Sequence, residues 1–486
     1  MEFTTRRRFV QQTLSVAAAL YGRPLTAIDG AERVAEGAHQ DGAAVDATAI
    51  RNFRSRITGQ VITPEAAEYE AARLVFNRAF DRRPAVIVHC ASASDVGRAL
   101  EFAQSQHLPV AVRGGGHSRA GFGVCEGGVV IDLSAMNRVE VDAERSVARA
   151  EAGSLVRDLD KATQRFGLAT TMGGCPTVGI AGLTLGGGEG LLMSKYGAAC
   201  DNLISAKLVT VDGRQVEASQ SSNPDLFWAI RGGGGNFGVA TTLEYRLHPV
   251  TSVLAGTLTY PPGRIPELLQ AFGKFVAAAP DEMNVVGEVL PSEEGARFHV
   301  LICHCGDPEQ GTGLLKPLRA LKPKEDHMRV ASYLETQETI NPYTPVAHFQ
   351  TNLFLPELTT AAIEAIAAAA NNSPPTTRVF IVPLYGAITR VASRDAAFPL
   401  RQPGYELDIM GRWVVSAERT SAVQWVKALR DKLRPLARGV YANQLGETSE
   451  ALVKAAYGSN YARLTAVKRK YDPNNVLRLN QNIEPG

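Results

Sequence analysis

The sequence contains few cysteines, no long apolar run and no excess of either charge, and each shortage excludes a class of protein. Six cysteines in 486 residues are too few for a disulfide scaffold. No apolar run approaches the ~20 residues that span a bilayer, so we expect no stable membrane insertion. Lysine plus arginine number 51 against 49 aspartates plus glutamates. This balance would not hold a polyanion, so nucleic acid is not an expected partner.

Metal-binding patterns are also missing from the sequence. There is no Cys-x-x-Cys pair and no pair of histidines four residues apart. Cys303 and Cys305 would share one face of a strand. We interpret them as buried thiols and predict no metal site. Cys90, Cys125 and Cys200 could be free thiols or, after export, could include a disulfide pair.

Changes in composition along the chain predict its organisation. At ~150 residues per domain, 486 residues correspond to two or three domains. Strand-like runs, helical periodicity and three glycine clusters characterise the chain as far as Pro249, after which the clusters disappear. The predicted segments are a leader and linker at 1–46, a first domain at 47–249, a second at 250–439 and a terminal segment at 440–486.

Three local patterns predict secondary structure in the first domain. The β-branched residues at 85–89 predict a strand. Residues 92–107 have helical periodicity, with Ser92 or Ser94 as N-cap. Asp212-Gly213, between two strand-like runs, predicts the turn of a hairpin.

The N-terminus resembles an export signal. Three arginines at positions 6–8 precede a short apolar stretch at residues 14–20. A basic region followed by a weakly apolar one is typical of twin-arginine signals, which carry folded, cofactor-loaded proteins. We therefore expect export to the periplasm, with the cytoplasm as the alternative if the signal is not functional.

The three glycine clusters lie at residues 113–118, 173–190 and 231–238. Consecutive glycines let backbone N–H groups turn towards an anion. A bound phosphate chain is therefore predicted at the first of them.

The third cluster matches the G-x-G-x-x-G fingerprint of NAD-binding folds through Gly233, Gly235 and Gly238. That fingerprint requires a strand before it and a helix after it. Here residues 225–230 have a helical pattern and residues 239–245 are β-branched. A classical NAD site is therefore rejected.

Five motifs occur in the order found in one flavoprotein family. They are RGGGHS, GGCPTVGIAGLTLGGGEG, KYGAACDNL, NPDLFWAIRGGGGNFGV and the terminal run from YGSNYARL to LNQNI. With them the sequence resembles, over residues 85–483, the berberine bridge enzyme-like branch of the vanillyl-alcohol oxidase flavoproteins. The resemblance implies an α+β fold. A two-part PCMH-type FAD-binding domain would be completed by the C-terminal segment, with an α+β substrate domain inserted between.

The resemblance also implies FAD held by two covalent bonds, from His117 to the flavin 8α-methyl group and from Cys175 to flavin C6. Two such bonds would raise the reduction potential of the flavin and leave its edge open to a large substrate. Val178 matches the position that controls oxygen access, where a small side chain favours an oxidase. The other residues expected to hold the cofactor are Arg113, Gly114, Gly115, Gly116, Ser118, Gly179, Gly182, Gly187, Gly238, Val239, Asn480 and Gln481.

A tyrosine base is implied as well. In family members that oxidise alcohols it lies in a Tyr-x-Asn motif, here Tyr441 and Asn443. Because tyrosine has a reference pKa near ~10, it needs a phenolate-stabilising group, for which another tyrosine or an arginine could serve. Some plant members carry a glutamate base on a strand whose counterpart here, residues 386–393, contains no carboxylate. This difference favours the tyrosine.

The sequence thus predicts an FAD-dependent oxidase that removes a hydride from an alcohol or hemiacetal carbon to flavin N5, with O2 reduced to H2O2. Sugars, oligosaccharides and glycosylated metabolites lead the substrate classes, followed by cyclic amines. The alternatives are a dehydrogenase with another electron acceptor and a flavin-loaded binding protein without turnover. The expected partners are a small-molecule substrate and O2, and the oligomeric state is not predicted.

Overall fold

The structure, a computed structural model, describes residues 45–339, 344–392 and 394–486. The expected export segment therefore lies outside the described residues, apart from its last two positions. The helices of the described part are α1 (Ala47–Arg54), α2 (Tyr69–Ala72), α3 (Ala93–Ser105), α4 (Val156–Gln164), α5 (Ile180–Leu185), α6 (Met193–Tyr196), α7 (Pro224–Ile230), α8 (Ile265–Ala278), α9 (Pro308–Leu314), α10 (Lys316–Ala320), α11 (Tyr333–Thr339), α12 (Thr360–Asn371), α13 (Arg419–Leu433), α14 (Glu450–Tyr457) and α15 (Tyr461–Tyr471).

The first sheet has four strands and is mostly parallel. They are β1 (Gln60–Ile62), β2 (Val86–His89), β3 (Val110–Arg113) and β4 (Val129–Asp132), in the order β1-β2-β4-β3. Because β2 and β3 both run parallel to β4, the chain must cross over between them, and α3 makes this crossover. The Ser92 side chain accepts a hydrogen bond from the Asp95 N–H and caps α3. The predicted strand, helix and N-cap are therefore confirmed.

The second sheet has five antiparallel strands. They are β5 (Val139–Asp142), β6 (Val147–Glu151), β8 (Leu203–Val209), β9 (Gln215–Ser219) and β10 (Val239–Arg246), in the order β5-β6-β10-β8-β9. The predicted hairpin is formed by β8 and β9, with Gly213 at a φ of 82° in its turn. Two short strands, β7 (Leu168–Ala169) and β11 (His248–Pro249), pair beside this sheet.

The third sheet has eight strands and forms a roof over the cavity described below. They are β12 (Ser252–Tyr260), β13 (Met283–Leu290), β14 (Arg297–His304), β15 (Glu325–Asp326), β16 (Arg329–Ser332), β17 (Ala347–Leu355), β18 (Thr377–Leu384) and β19 (Gly404–Trp413). The order is β15-β12-β14-β13-β18-β19-β17, with β16 also paired to β12.

Side chains alternate between the two faces of this sheet, as strand geometry requires. Val285 and Ile409 point into an apolar core shared with α8, α12 and α13. Their neighbours Asn284 and Asp408 point into the cavity. The strand period of two therefore places apolar residues on the helix side and polar residues over the cavity.

The C-terminal segment returns to the first part of the chain. Tyr457, Leu464, Val467 and Ile483 are buried in the same apolar core as the strands of the first two sheets. The expected α+β class, with a terminal segment that completes the first domain, agrees with this packing. The individual domain boundaries stay predictions.

Two other findings concern the composition. All six cysteines lie among the described residues and have free thiols. None of the helices in the described part combines the length and the apolar composition needed to cross a bilayer.

A buried ion pair holds the C-terminal segment in place. Lys468 and Asp472 have fully buried side chains, and the Lys468 Nζ lies 2.7 Å from Asp472. The same ammonium group donates to the carbonyl oxygens of Asn236 at 2.9 Å and Leu477 at 3.0 Å. All three donors of the ammonium group are thus satisfied.

We predict that Lys468→Met lowers the free energy of unfolding by about 3–5 kcal/mol, because the Asp472 carboxylate would stay buried without its partner. Lys470→Met is the matched control on the same helix. Its ion pair with Asp225 is solvent-exposed, so the loss should be below about 1 kcal/mol. Denaturant unfolding of both variants measures the difference, and equal losses would contradict the prediction.

Candidate active site

Two glycine clusters meet at the centre of the molecule. The first follows β3, and Gly116 has a φ of 71° that favours glycine. A Cβ added at Gly115 would collide with the backbone nitrogen of Gly179, and one at Gly179 with that of Gly115. Only glycine at both positions allows the two loops to approach this closely.

A cavity of about 570 Å³ lies between these loops and the third sheet. Of the predicted site residues, Gly187 alone does not line it; it lies behind Tyr441, where an added Cβ would be 3.2 Å from the phenolic oxygen. The predicted residues that line the cavity are Arg113, Gly114, Gly115, Gly116, His117, Ser118, Cys175, Val178, Gly179, Gly182, Gly238, Val239, Tyr441, Asn443, Asn480 and Gln481.

His117 and Cys175 are joined through one hydroxyl group. The Thr177 Oγ1 lies 3.0 Å from the His117 Nε2 and 3.4 Å from the Cys175 Sγ. His117 stacks on Phe76 with ring centroids 3.9 Å apart. Burial, and secondarily the charge of Arg119, lower the pKa of His117 to about 3. The imidazole is therefore neutral and keeps a nucleophilic nitrogen at physiological pH.

Arg113 is occupied by an ion pair. Its Nη2 and Nε lie 2.5 Å and 2.9 Å from the Asp132 Oδ2, and both side chains are buried. The remaining nitrogen, Nη1, has no hydrogen-bond partner among the described residues. Arg113 thus fixes the end of β3 and has one donor left for a ligand.

Asn480 and Gln481 approach the cavity from the C-terminal segment. The Asn480 Nδ2 donates to the carbonyl of Leu477 at 2.9 Å, and the Gln481 Nε2 donates to that of Glu447 at 3.2 Å. The carbonyl oxygens of both side chains have no donor among the described residues.

The cavity wall fits FAD. Its glycine loops leave backbone N–H groups accessible to a pyrophosphate. The unpartnered buried atoms of Arg113, Asn480 and Gln481 suit a ligand with many hydroxyl and phosphate oxygens.

Tyr441 stands at the junction of the C-terminal segment, the second glycine cluster and the third sheet. Its phenolic oxygen accepts hydrogen bonds from the Gly188 N–H at 2.8 Å and the Asn443 Nδ2 at 3.0 Å. Its backbone N–H donates to the Asn352 Oδ1 at 2.7 Å. Burial, followed by the charge of Glu189, raises the pKa of Tyr441 well above 10. The tyrosine is therefore a neutral phenol at physiological pH.

Carboxyl groups stand close to this tyrosine. Glu189 and Asp408 line the cavity, and Glu406 lies on the same strand face as Asp408. Burial raises the pKa of Glu189 to about 7 and that of Asp408 to about 6. It also raises the pKa of Glu406 well above its ordinary value, with further increases from the charges of Glu189 and Asp408.

These carboxyl groups do not come from the segment that the sequence analysis compared with the plant glutamate strand. Gly386–Thr389, in the segment compared with the plant glutamate strand, forms a 3-10 turn. The carboxyl groups come from β19 and from the end of the second glycine cluster. The compared segment carries no carboxylate, as the sequence shows, but the sequence analysis did not identify the carboxyl groups that other segments bring to Tyr441. The alternation of side chains along β19 could have indicated that Glu406 and Asp408 share one face. That this face lies at the cavity could be seen only in the folded structure.

Sequence analysis also missed the polar roof of the cavity. Asn284 is 1% exposed, and neither of its amide atoms has a partner among the described residues. Gln350 donates to the Gln444 Oε1 at 2.9 Å, while its own Oε1 has no donor there. Glu288 and His299 line the same roof. Unpaired buried amides of this kind are available to a polar ligand.

The comparisons with known proteins agree with this geometry. A family model described as an FAD binding domain matches residues 84–219, and one described as berberine and berberine like matches residues 440–484. The (R)-6-hydroxynicotine oxidase of Paenarthrobacter nicotinovorans is 32% identical over 88% of this chain and 97% of its own length. The chain belongs to the berberine bridge enzyme-like FAD-linked oxidoreductases.

Solved structures of this family share the fold. The 6-hydroxy-D-nicotine oxidase of Arthrobacter nicotinovorans superimposes with a TM-score of 0.82 at 29% identity, covering 88% of this chain and 98% of that one. The xylooligosaccharide oxidase of Myceliophthora thermophila gives 0.82 at 22% identity, covering 90% and 99%. The predicted PCMH-type fold and the FAD-dependent oxidoreductase class are therefore confirmed.

We predict that Gly115→Ala reduces the flavin bound to the purified protein. The added Cβ would push the two glycine loops apart, and overpacking of this kind costs about 1–3 kcal/mol. That cost corresponds to roughly 5- to 150-fold weaker reversible binding, the step that would precede covalent attachment. Flavin absorbance per protein measures the loss. Gly313→Ala, where a Cβ meets nothing within 4 Å, is the control and should keep its flavin; equal flavin content in both variants would contradict the prediction.

Proposed function

We propose that this protein is an FAD-dependent oxidase that converts an alcohol or hemiacetal carbon to a carbonyl, with a sugar, an oligosaccharide or a glycosylated metabolite as substrate. The bound FAD would take the hydride at N5 and pass both electrons to O2, giving H2O2. The alternatives are an FAD-dependent dehydrogenase with another acceptor and a flavin-loaded binding protein without turnover.

The observation that carries this proposal is the Tyr441 hydroxyl held in the cavity wall by two donors. The Gly188 N–H and the Asn443 Nδ2 fix its phenolic oxygen, which therefore has a set position at which to meet a substrate hydroxyl. A positioned proton acceptor is what hydride removal from an alcohol requires. The amides of Asn284 and Gln350 above it suit a substrate with several hydroxyl groups.

A cyclic amine is the second candidate substrate. The roof of the cavity carries the carboxyl groups of Asp408 and Glu288, which would attract a cation. Glu288 is already paired with Arg378 at 2.9 Å, so this attraction depends mainly on Asp408. The name of the relative (R)-6-hydroxynicotine oxidase is consistent with this candidate.

We further propose that FAD is attached bicovalently through His117 and Cys175. The neutral imidazole and the shared contact with Thr177 support this proposal. Val178 lines the cavity three residues beyond Cys175, and its small side chain is proposed to leave room for O2. Export through the arginines at 6–8 remains a proposal that rests on the sequence alone.

Acid denaturation tests the covalent attachment. We expect the flavin colour to precipitate with the wild-type chain, with His117→Ala and with Cys175→Ala, because each single variant keeps one bond. Only the double variant should release its flavin into the supernatant. Flavin lost from the wild type would contradict the bicovalent proposal while leaving FAD binding itself intact.

Tyr441→Phe tests the proton acceptor. We expect anaerobic reduction of the flavin by the best substrate of an alcohol, sugar and amine panel to slow about 10²–10⁴-fold, because the acceptor oxygen is lost. Tyr69→Phe removes a buried hydroxyl outside the cavity, bonded to the Pro84 carbonyl, and should leave the rate unchanged. Reoxidation faster with a dye than with O2 would favour the dehydrogenase. Absence of reduction by every compound would favour the binding protein.

A further inference from the structure

Two glutamates from distant parts of the sequence meet beside Tyr441. Glu189 lies near the end of the second glycine cluster, and Glu406 lies on β19 of the third sheet. Their carboxyl groups are close enough for each to shift the pKa of the other. The Glu189 Oε1 and the Glu406 Oε2 are buried and have no N–H or hydroxyl donor among the described residues. Two carboxyl groups can form a hydrogen bond only if one of them carries a proton.

Glu406 shares one asparagine donor with the neighbouring acid Asp408. The Asn352 Nδ2 donates to the Glu406 Oε1 and to the Asp408 Oδ1, both at 2.8 Å. Glu406 therefore has one oxygen bound to an amide and a second, Oε2, that no N–H or hydroxyl group of the described residues reaches. Burial raises the pKa of both glutamates, because the charged forms lose their hydration.

The charged and titratable groups around the pair are few. Asp408 is the neighbouring acid on the same strand, and its charge raises the pKa of both glutamates. Arg119 lines the cavity and acts on Asp408, whose pKa it lowers. Tyr441 is the remaining titratable neighbour, and its pKa is raised by both glutamates.

The pair is connected to Tyr441 on both sides. Gly188, whose N–H donates to the phenolic oxygen, directly precedes Glu189. Asn352, which bonds Glu406, also accepts the backbone N–H of Tyr441. Because Tyr441 is a neutral phenol, it can take a proton from a substrate only if its own proton leaves to another group. Glu189 and Glu406 are the carboxyl groups whose charges act on Tyr441, and a pair that shares one proton has room for a second.

We propose that Glu189 and Glu406 share one proton and that this pair is the final acceptor of the substrate proton, relayed by Tyr441. The inference rests on the proposed oxidase function. The substrate O–H bond breaks and its proton joins the phenolic oxygen, while the phenolic proton passes to the pair. The pair then holds two protons and is neutral. The C–H hydrogen leaves with its electron pair to the bound FAD, and the pair gives its proton back when O2 becomes H2O2.

The first test needs no substrate. The measurement is an infrared spectrum of the holoprotein at about pH 9. Because the pKa of Glu189 is about 7, this carboxyl group would be ionised at that pH if it acted alone, and so would Asp160. We expect a protonated-carboxyl band that shifts in D2O, and we expect Glu189→Gln to remove it, because the new amide can donate to Glu406 in place of the proton. Asp160→Asn should keep the band. A wild-type protein without the band, or a band that survives Glu189→Gln, would overturn the shared proton.

The second test measures the role in the reaction. The wild-type rate of anaerobic flavin reduction should rise with pH through about 7 and then level off, because the doubly protonated pair cannot accept a proton. Glu189→Gln and Glu406→Gln, compared at equal flavin content, should lower the plateau about 10²-fold and remove this rise. Asp160→Asn, a buried carboxyl outside the cavity, should keep the wild-type profile.

The outcomes separate the inference from the function on which it rests. Normal rates and an unchanged pH profile in both glutamine variants would overturn the relay while the oxidase function stands. If one variant fails to fold, the other tests the same pair from the opposite side. A flavin that no compound of the panel reduces would instead overturn the oxidase function, whatever the infrared spectra give.

Discussion

The hydrogen bond from the Gly188 N–H to the Tyr441 hydroxyl joins the parts of the chain from which the site is built. An added Cβ at Gly187 would collide with the Phe398 ring and crowd the Tyr441 hydroxyl, and one at Gly186 would collide with the Asn443 amide. The second glycine cluster therefore packs directly against the C-terminal segment. Asn352 holds the same tyrosine from the sheet side. Neither the cofactor loops nor the roof could be positioned independently of this junction.

Local features of the fold could be predicted because their causes are local. Ser92 caps α3 and Gly213 turns the β8–β9 hairpin, and both follow from backbone chemistry within a few residues. The helix before the third glycine cluster and the strand after it also agree with the sequence pattern. Nearly all of the predicted site residues line the cavity, because motifs place whole loops at once. Gly187 is the exception, since its nearest neighbours are the rings of Phe398 and Tyr441, which are distant in sequence.

The acidic half of the site could not be predicted in this way. Glu189 and Glu406 belong to no shared motif, and their contact depends on how the third sheet lies over the second glycine cluster. The sequence predicted that an arginine or a second tyrosine would stabilise the Tyr441 phenolate, but the structure places other groups at this oxygen. Its oxygen has an amide N–H and an asparagine as donors, while the adjacent carboxyl groups raise its pKa. Because the negative charges of these carboxyl groups disfavour a phenolate, Tyr441 is better suited to relay a proton than to remain ionised.

The third glycine cluster holds the C-terminal helices against the first domain. The Gly233 carbonyl accepts hydrogen bonds from the Tyr457 hydroxyl and the Asn236 Nδ2, and the Asn236 carbonyl accepts from Lys468. These contacts bind the terminal helices where a nucleotide-binding fingerprint would have placed a phosphate. The same glycines also line the cavity through Gly234 and Gly235. A loop that must fit a ligand on one side and a buried ion pair on the other has little freedom to move. The C-terminal segment therefore fixes Tyr441, Asn480 and Gln481 against the cavity as one unit.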